Sequence, residues 1–122
     1  MDTKNFIDQL KQYDIDTNKA ISRFMGNEDL FIKFMLKLPT CMRFDDMFKY
    51  LDSENEEEFY MLIHNLKSNS GNLGVNKIAD CAQAILVEFR TSKFVHKKKL
   101  HSLLEEAKTE SELITELLTK YN

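Results

Sequence analysis

Proline occurs once in these 122 residues and glycine three times, at Gly26, Gly71 and Gly74. So few chain breakers exclude a fold of many short strands and tight turns, and predict long helices. The two cysteines, Cys41 and Cys81, are far apart and match no metal-ligand spacing. Cys81 lies beside a helical apolar stripe and reads as a reduced structural thiol. No apolar run approaches the ~18 residues that a membrane span needs. The opening residues Met1 to Asn5 lack a basic region followed by an apolar run, so no signal peptide is expected and the cytoplasm is the expected compartment. Positive charge is not in excess either. Seventeen Lys and Arg against twenty Asp and Glu leave a net charge of −3, which gives no nucleic-acid footprint. A Gly-rich phosphate loop and a kinase signature are also missing, so the chain has no recognisable route to ATP and no kinase activity of its own is expected.

What is present is ordinary globular composition, 43% hydrophobic and 30% charged, in a length that makes one domain over residues 1–122. Phe6, Ile7 and Leu10 share one side of a short amphipathic segment. Asp16 or Thr17 is placed to cap a second short helix that ends at Gly26. Asn27 is a fresh cap, with Glu28 and Asp29 in the first turn where the helix dipole favours acids. The stripe Leu30, Phe31, Phe34, Met35 and Leu38 resumes after Pro39 as Met42, Phe44, Met47, Phe48 and Leu51, which predicts a long helix kinked or briefly broken at the proline. Ser53 or Asp52 is expected to cap the next helix, entered through the acidic run Glu54 to Glu58 and ending near Asn72 or Gly74. A further helix is predicted from Val75 to Arg90, and a last one after Thr91-Ser92. The expected fold is all-α: an antiparallel up-down four-helix bundle with one or two short N-terminal helices packed on it.

The stretch from His64 to Val75 carries the chemistry. With Phe59 as origin and about 100° per residue, Leu62, Ile63, Leu66, Ser70 and Leu73 fall within roughly 60° and form the core stripe. His64 falls at about 140°, Ser68 at about 180° and Gly71 at about 120°, all on the polar face, with Lys67 at about 80° on the shoulder. A core histidine would be crowded by Leu and Ile. This one has small neighbours, Ser68 and Gly71, which leave room for another molecule to cover the ring. An exposed neutral imidazole offers a nucleophilic nitrogen near pH 7 and is a competent phosphoryl acceptor. Phosphoryl transfer is mostly positioning and charge stabilisation, and Lys67 is placed to offset part of the phosphoryl charge.

Other clusters read more plainly. His96 and His101, five apart, point about 140° away from one another and cannot share a metal from one face. Lys97-Lys98-Lys99 reads as a solvated face, with a docking patch for an acidic surface as its alternative. The run Glu54 to Glu58 suits a helix start through the dipole. Most methionines read as core fillers. Met61, at about 200°, joins Tyr60 and Val87 as a candidate apolar docking patch.

The residues His64, Leu66, Lys67, Ser68, Gly71, Asn72, Leu73 and Gly74 resemble, in register, the core pattern of the histidine-containing phosphotransfer domains of multistep two-component phosphorelays: His, any residue, Leu, Lys, Gly, then small residues ending in Leu-Gly. The stretches Ile15 to Ala20 and Phe24 to Phe31 look like that family's entry, so the resemblance spans about residues 13–90. It implies a four-helix bundle whose exposed histidine, here His64, accepts a phosphoryl group from a receiver-domain aspartate and passes it to a response regulator. Lys67 is the phosphate-near lysine by the same resemblance, and Ser68 stands where the family has glycine. The implied partners are receiver domains of hybrid histidine kinases and response regulators, docked over Tyr60, Met61, Asn65 and Asn72. Neither nucleic acid nor membrane is an expected partner, and a monomer is expected. No cofactor or metal is expected on this chain, and the Mg²⁺ belongs to the receiver. The alternatives are a non-phosphorylated adaptor that binds receiver or kinase domains, and direct phosphorylation of His64 by a kinase domain.

Overall fold

In the computed structural model, which describes residues 2–121, every element is helical. Seven helices follow in order: α1 (Thr3–Gln12), α2 (Thr17–Arg23), α3 (Glu28–Cys41), α4 (Phe44–Asp52), α5 (Glu56–Asn72), α6 (Asn76–Ser92) and α7 (Lys97–Thr119). Four of them start on side-chain caps. Asp2, Asp16, Asn27 and Asn55 accept hydrogen bonds from the backbone N–H groups of Asn5, Lys19, Leu30 and Glu58. Each satisfies an amide that the first turn leaves unpaired. Among the described residues no helix is long and apolar enough to cross a membrane.

α5 packs on α6 and α4, α6 packs on α7, and α7 closes back onto α4, with α3 against α5 and α7. Side-chain pairs fix the directions. Phe59 at the start of α5 meets Phe89 at the end of α6; Lys97 at the start of α7 reaches the Asp52 carbonyl at the end of α4, while Lys108 further along α7 stands over the Phe48 ring in mid-α4. Both pairs are therefore antiparallel. The core runs between them through Phe31, Met35, Met47, Leu51, Ile63, Leu66, Ile78, Ile85 and Leu104, each at most 1% exposed. Burying each such side chain contributes about 1.5–3 kcal/mol, so the apolar stripes read from the sequence are what hold these helices together.

α1 and α2 sit at the end where α5 stops and α6 begins. The Phe6 ring packs at 4.4 Å, tilted by 38°, on Tyr121 just beyond α7. The Asp16 N–H donates to the Gly74 carbonyl at 2.9 Å, and Arg23 Nη1 donates to the carbonyls of Gly71 and Asn72 at 2.8 and 3.2 Å. Gly74 turns the chain from α5 into α6 at φ +76°, and a Cβ there would lie 2.4 Å from the Asp16 carbonyl oxygen. Only glycine fits that crossing.

Several boundaries differ from the sequence reading: α2 ends at Arg23 rather than Gly26, and α6 runs on through Thr91 to Ser92. α3 continues past Pro39, and the break falls at Met42-Arg43. Met42 and Phe44 are both buried there, and two residues that are two apart cannot face one core from a continuous helix. α5 is capped by Asn55 rather than Ser53 or Asp52. The chain from Asp52 to Glu54 still belongs to the end of α4, tied by Ser53 N–H to the Lys49 carbonyl and Asn55 N–H to the Tyr50 carbonyl. α7 starts at Lys97, because Phe94 folds into the cluster of Phe59 and Phe89 at 5.7 and 5.1 Å.

Candidate functional site

His64 lies midway along α5, and its side chain is exposed. The helix is held on both sides by its core stripe. Phe59 and Ile63 are fully buried, and Leu62 and Leu66 nearly so. The backbone that carries the imidazole is thus rigid while the ring stands at the surface. Lys67 is half-buried, as the shoulder position requires for a lysine whose stem lies along apolar surface. Ser68, Asn65 and Asn72 are exposed, and Met61 is 54% exposed.

Gly71 is half-buried, and its place is more specific than clearance around the ring. A Cβ on it would meet the Ala79 Cβ of α6 at 3.8 Å, an ordinary contact. Gly71 and Ala79 therefore form a seam of small residues where α5 and α6 approach. Tyr60 and Arg90 mark the same two faces further along, with Arg90 Nη2 donating to Tyr60 Oη at 3.4 Å. The two pairs keep one antiparallel register, which puts Val87 level with His64 and Gln83 level with Lys67. Val87 is 52% exposed, so Tyr60, Met61 and Val87 all reach the surface, and of the three Tyr60 lies against the His64 ring.

Sequence reasoning missed two residues here and one contact of a third. Arg90 and Gln83 belong to α6, and only the α5–α6 register brings them alongside Tyr60 and Lys67. The Gln83 Oε1 is buried without a hydrogen-bond partner. Tyr60 does more than rim the site. Its ring lies parallel to the imidazole, with centroids 6.0 Å apart and planes 10° apart. That contact was open to an i, i+4 reading, since Tyr60 is one turn before His64. A groove of about 390 Å³ also opens between α3 and the C-terminal turn of α5, lined by Phe24, Phe34, Leu38, Cys41, Asn69 and Asn72.

The other clusters are engaged in structure. Lys97 pairs with Glu54 at 3.2 Å and donates to the Asp52 carbonyl, which ties α7 to the α4–α5 turn. Lys99 and His96 both reach Glu88, at 3.0 Å each. Glu88 is held down to about 2 by the His96 hydrogen bond first and by Lys99 next. His101 lies 4.9 Å from the Phe48 ring. Burial pushes the Cys81 thiol up, with Glu106, Glu110 and Asp80 adding to the effect, which suits an unreactive structural thiol. Among the described residues no three His, Cys, Asp or Glu side chains gather to hold a metal.

Compared with known protein families, curated proteins and solved structures, the chain matches none of them. The functional reading therefore rests on the residues and geometry of this chain.

Proposed function

We propose that this chain is a phosphohistidine carrier. His64 accepts a phosphoryl group from the aspartyl phosphate of a receiver domain and returns it to the aspartate of a response regulator. The observation that carries the reading is the placement of His64: an exposed imidazole midway along a helix whose opposite face is fully buried, with Lys67 and Ser68 in the next turn. On this reading the ring formed by α4, α5, α6 and α7 is an antiparallel up-down four-helix bundle. α3 extends the α4 position, and α1 and α2 cover one end. The compartment is the cytoplasm, and the working form is a monomer.

The chemistry asks little of this chain beyond the nucleophile. A ring nitrogen lone pair attacks phosphorus, and the N–P bond forms as the P–O bond to the aspartyl oxygen breaks. The carboxylate leaves with that electron pair. Delivery runs the same step in reverse on a second receiver. Lys67 adds one positive charge from this side, and Mg²⁺ on the receiver would supply the rest of the charge neutralisation. Tyr60, Met61, Val87, Asn65 and Asn72 supply a surface of apolar and amide groups for the receiver to cover.

The test is a label transfer. A receiver domain carrying labelled aspartyl phosphate, mixed with this protein and Mg²⁺, is expected to lose label to an acid-labile, base-stable phosphate on His64. The His64→Gln variant keeps its helical circular dichroism and takes up nothing. Label on the Gln variant would remove His64 from the reading. Receiver binding without any phosphate transfer would make the protein an adaptor instead. Kinase and ATP without a receiver domain test the direct route.

A further inference from the structure

His64 is exposed, yet its ring is braced. Tyr60 lies one turn earlier with its ring parallel to the imidazole, centroids 6.0 Å apart. Tyr60 is in turn held from the neighbouring helix. The Arg90 Nη2 donates to its hydroxyl at 3.4 Å, and the guanidinium carbon stands 5.9 Å from its ring centroid. A surface histidine with no such neighbour exchanges its side-chain rotamers on the picosecond-to-nanosecond scale, and only some of them present a ring nitrogen to an incoming phosphorus. A contact that favours one rotamer raises the fraction of molecules poised for in-line attack.

We infer that Tyr60 is a positioning residue for the reaction at His64: its ring, anchored to α6 through Arg90, selects the imidazole orientation that meets the phosphoryl donor. This rests on the reading of His64 as the phosphorylated residue. It separates Tyr60 from Met61 and Val87, which carry no ring to set against the imidazole. Aromatic pairs of this geometry bias an equilibrium about two- to tenfold, which sets the size of the effect on rate.

The experiment removes the partner protein. Phosphoramidate is a small donor that needs no docking surface; the N–P bond to His64 forms as the donor's own N–P bond breaks and ammonia leaves. Tyr60→Leu is expected to slow this labelling about two- to tenfold. Tyr60→Phe loses the long 3.4 Å hydroxyl contact but keeps the ring and its place beside the Arg90 guanidinium, and is expected to recover most of the lost rate. The His64 ring protons, read by NMR, should lie upfield in the native and Phe proteins and move downfield in Tyr60→Leu. Native-rate labelling of Tyr60→Leu by phosphoramidate, with a loss only towards receivers, would make Tyr60 a docking residue and overturn the inference. So would a Phe variant as slow as Leu, or ring signals that do not move. If the ring contact and the phosphoramidate effect both hold but no receiver donates, the brace stands and the phosphorelay reading fails.

Discussion

The three glycines of this chain should respond to the same substitution with three different outcomes. Gly26 and Gly74 both have positive φ, +80° and +76°. Alanine in that region costs about 1 kcal/mol of backbone strain. At Gly26 nothing lies within 4 Å of the added carbon, so the strain is the whole cost. At Gly74 the added carbon would sit 2.4 Å from the Asp16 carbonyl oxygen, 2.9 Å from its carbon and 3.1 Å from its nitrogen. All three are backbone atoms and cannot rotate aside. Relief requires α2 to back away from the α5–α6 turn, which breaks the 2.9 Å hydrogen bond from Asp16 N–H to the Gly74 carbonyl. Losing that bond adds about 1 kcal/mol, and residual strain about another, so Gly74→Ala should cost about 3 kcal/mol.

Gly71 has the opposite sign. It lies inside α5, and its added carbon meets Ala79 at a comfortable 3.8 Å. Removing glycine from a helix then gains about 0.5–1 kcal/mol. Urea unfolding followed by far-ultraviolet circular dichroism measures all three, with equal denaturant slopes as the condition for comparing them. Thermal midpoints should fall by about 10 °C for Gly74→Ala, by a few degrees for Gly26→Ala, and rise slightly for Gly71→Ala. Equal losses at Gly26 and Gly74 would refute the reasoning, because the close approach of α2 to the turn would then contribute nothing.

Two further outcomes follow from the charges. Replacing Lys67 by Ala removes one unit of positive charge near a phosphoryl group at the water-exposed surface, where a pair at about 4 Å is worth about 1 kcal/mol. Transfer from a phosphorylated receiver should slow about fivefold while Lys67→Arg keeps most of the rate, and an unchanged Ala variant would leave Lys67 structural. Glu88 is held near 2, below the ordinary carboxylate value that it regains on unfolding. A depressed folded value means that its contribution is complete above about pH 4.5 and is lost as pH falls towards 2. The stability gap between the native protein and Glu88→Gln should therefore be widest above pH 5 and close over that acid window. Parallel pH curves for the two would mean that the contacts from His96 and Lys99 do not stabilise the fold.

Much of the scaffold was legible because its signals are local. The caps at Asp16 and Asn27, the acids after Asn27 and the core stripe through Phe59, Ile63 and Leu66 are each set by residues within a turn or two. The outward face of His64 followed from the same angles. What stayed hidden needed a second helix. Asn55 takes the α5 cap because Glu54, at φ +53°, completes the end of α4 and pairs with Lys97, forty-three residues on. The start of α7 waits for Phe94 to reach the cluster of Phe59 and Phe89. Gly71 read as open space on a single helix, but with α6 in place it is where the two helices touch. Arg90 carried no signal in a one-helix projection and emerges only from the register between α5 and α6.

The exposure of His64 also limits what this chain can do alone. Electrostatic stabilisation of a transferring phosphoryl group is strong only where water is excluded and donors are fixed in advance. Around His64 the fixed elements are few: a braced ring, one lysine stem and a small-residue seam, all open to solvent. A phosphoryl group placed there would have water on most sides and one cation nearby, too little to drive rapid transfer. The same openness lets a partner supply the missing walls and the metal. It also gives no wall that would favour one direction over the other. On the carrier reading, then, the direction and most of the rate belong to the receiver that covers the helix, and this chain contributes a post on which the imidazole is held ready, with the smaller factors from Tyr60 and Lys67. Converting Met61 and Val87 to Asp should accordingly leave phosphoramidate labelling of His64 intact while sharply reducing label received from any receiver. Equal loss with both donors would place the missing catalytic groups on this chain after all.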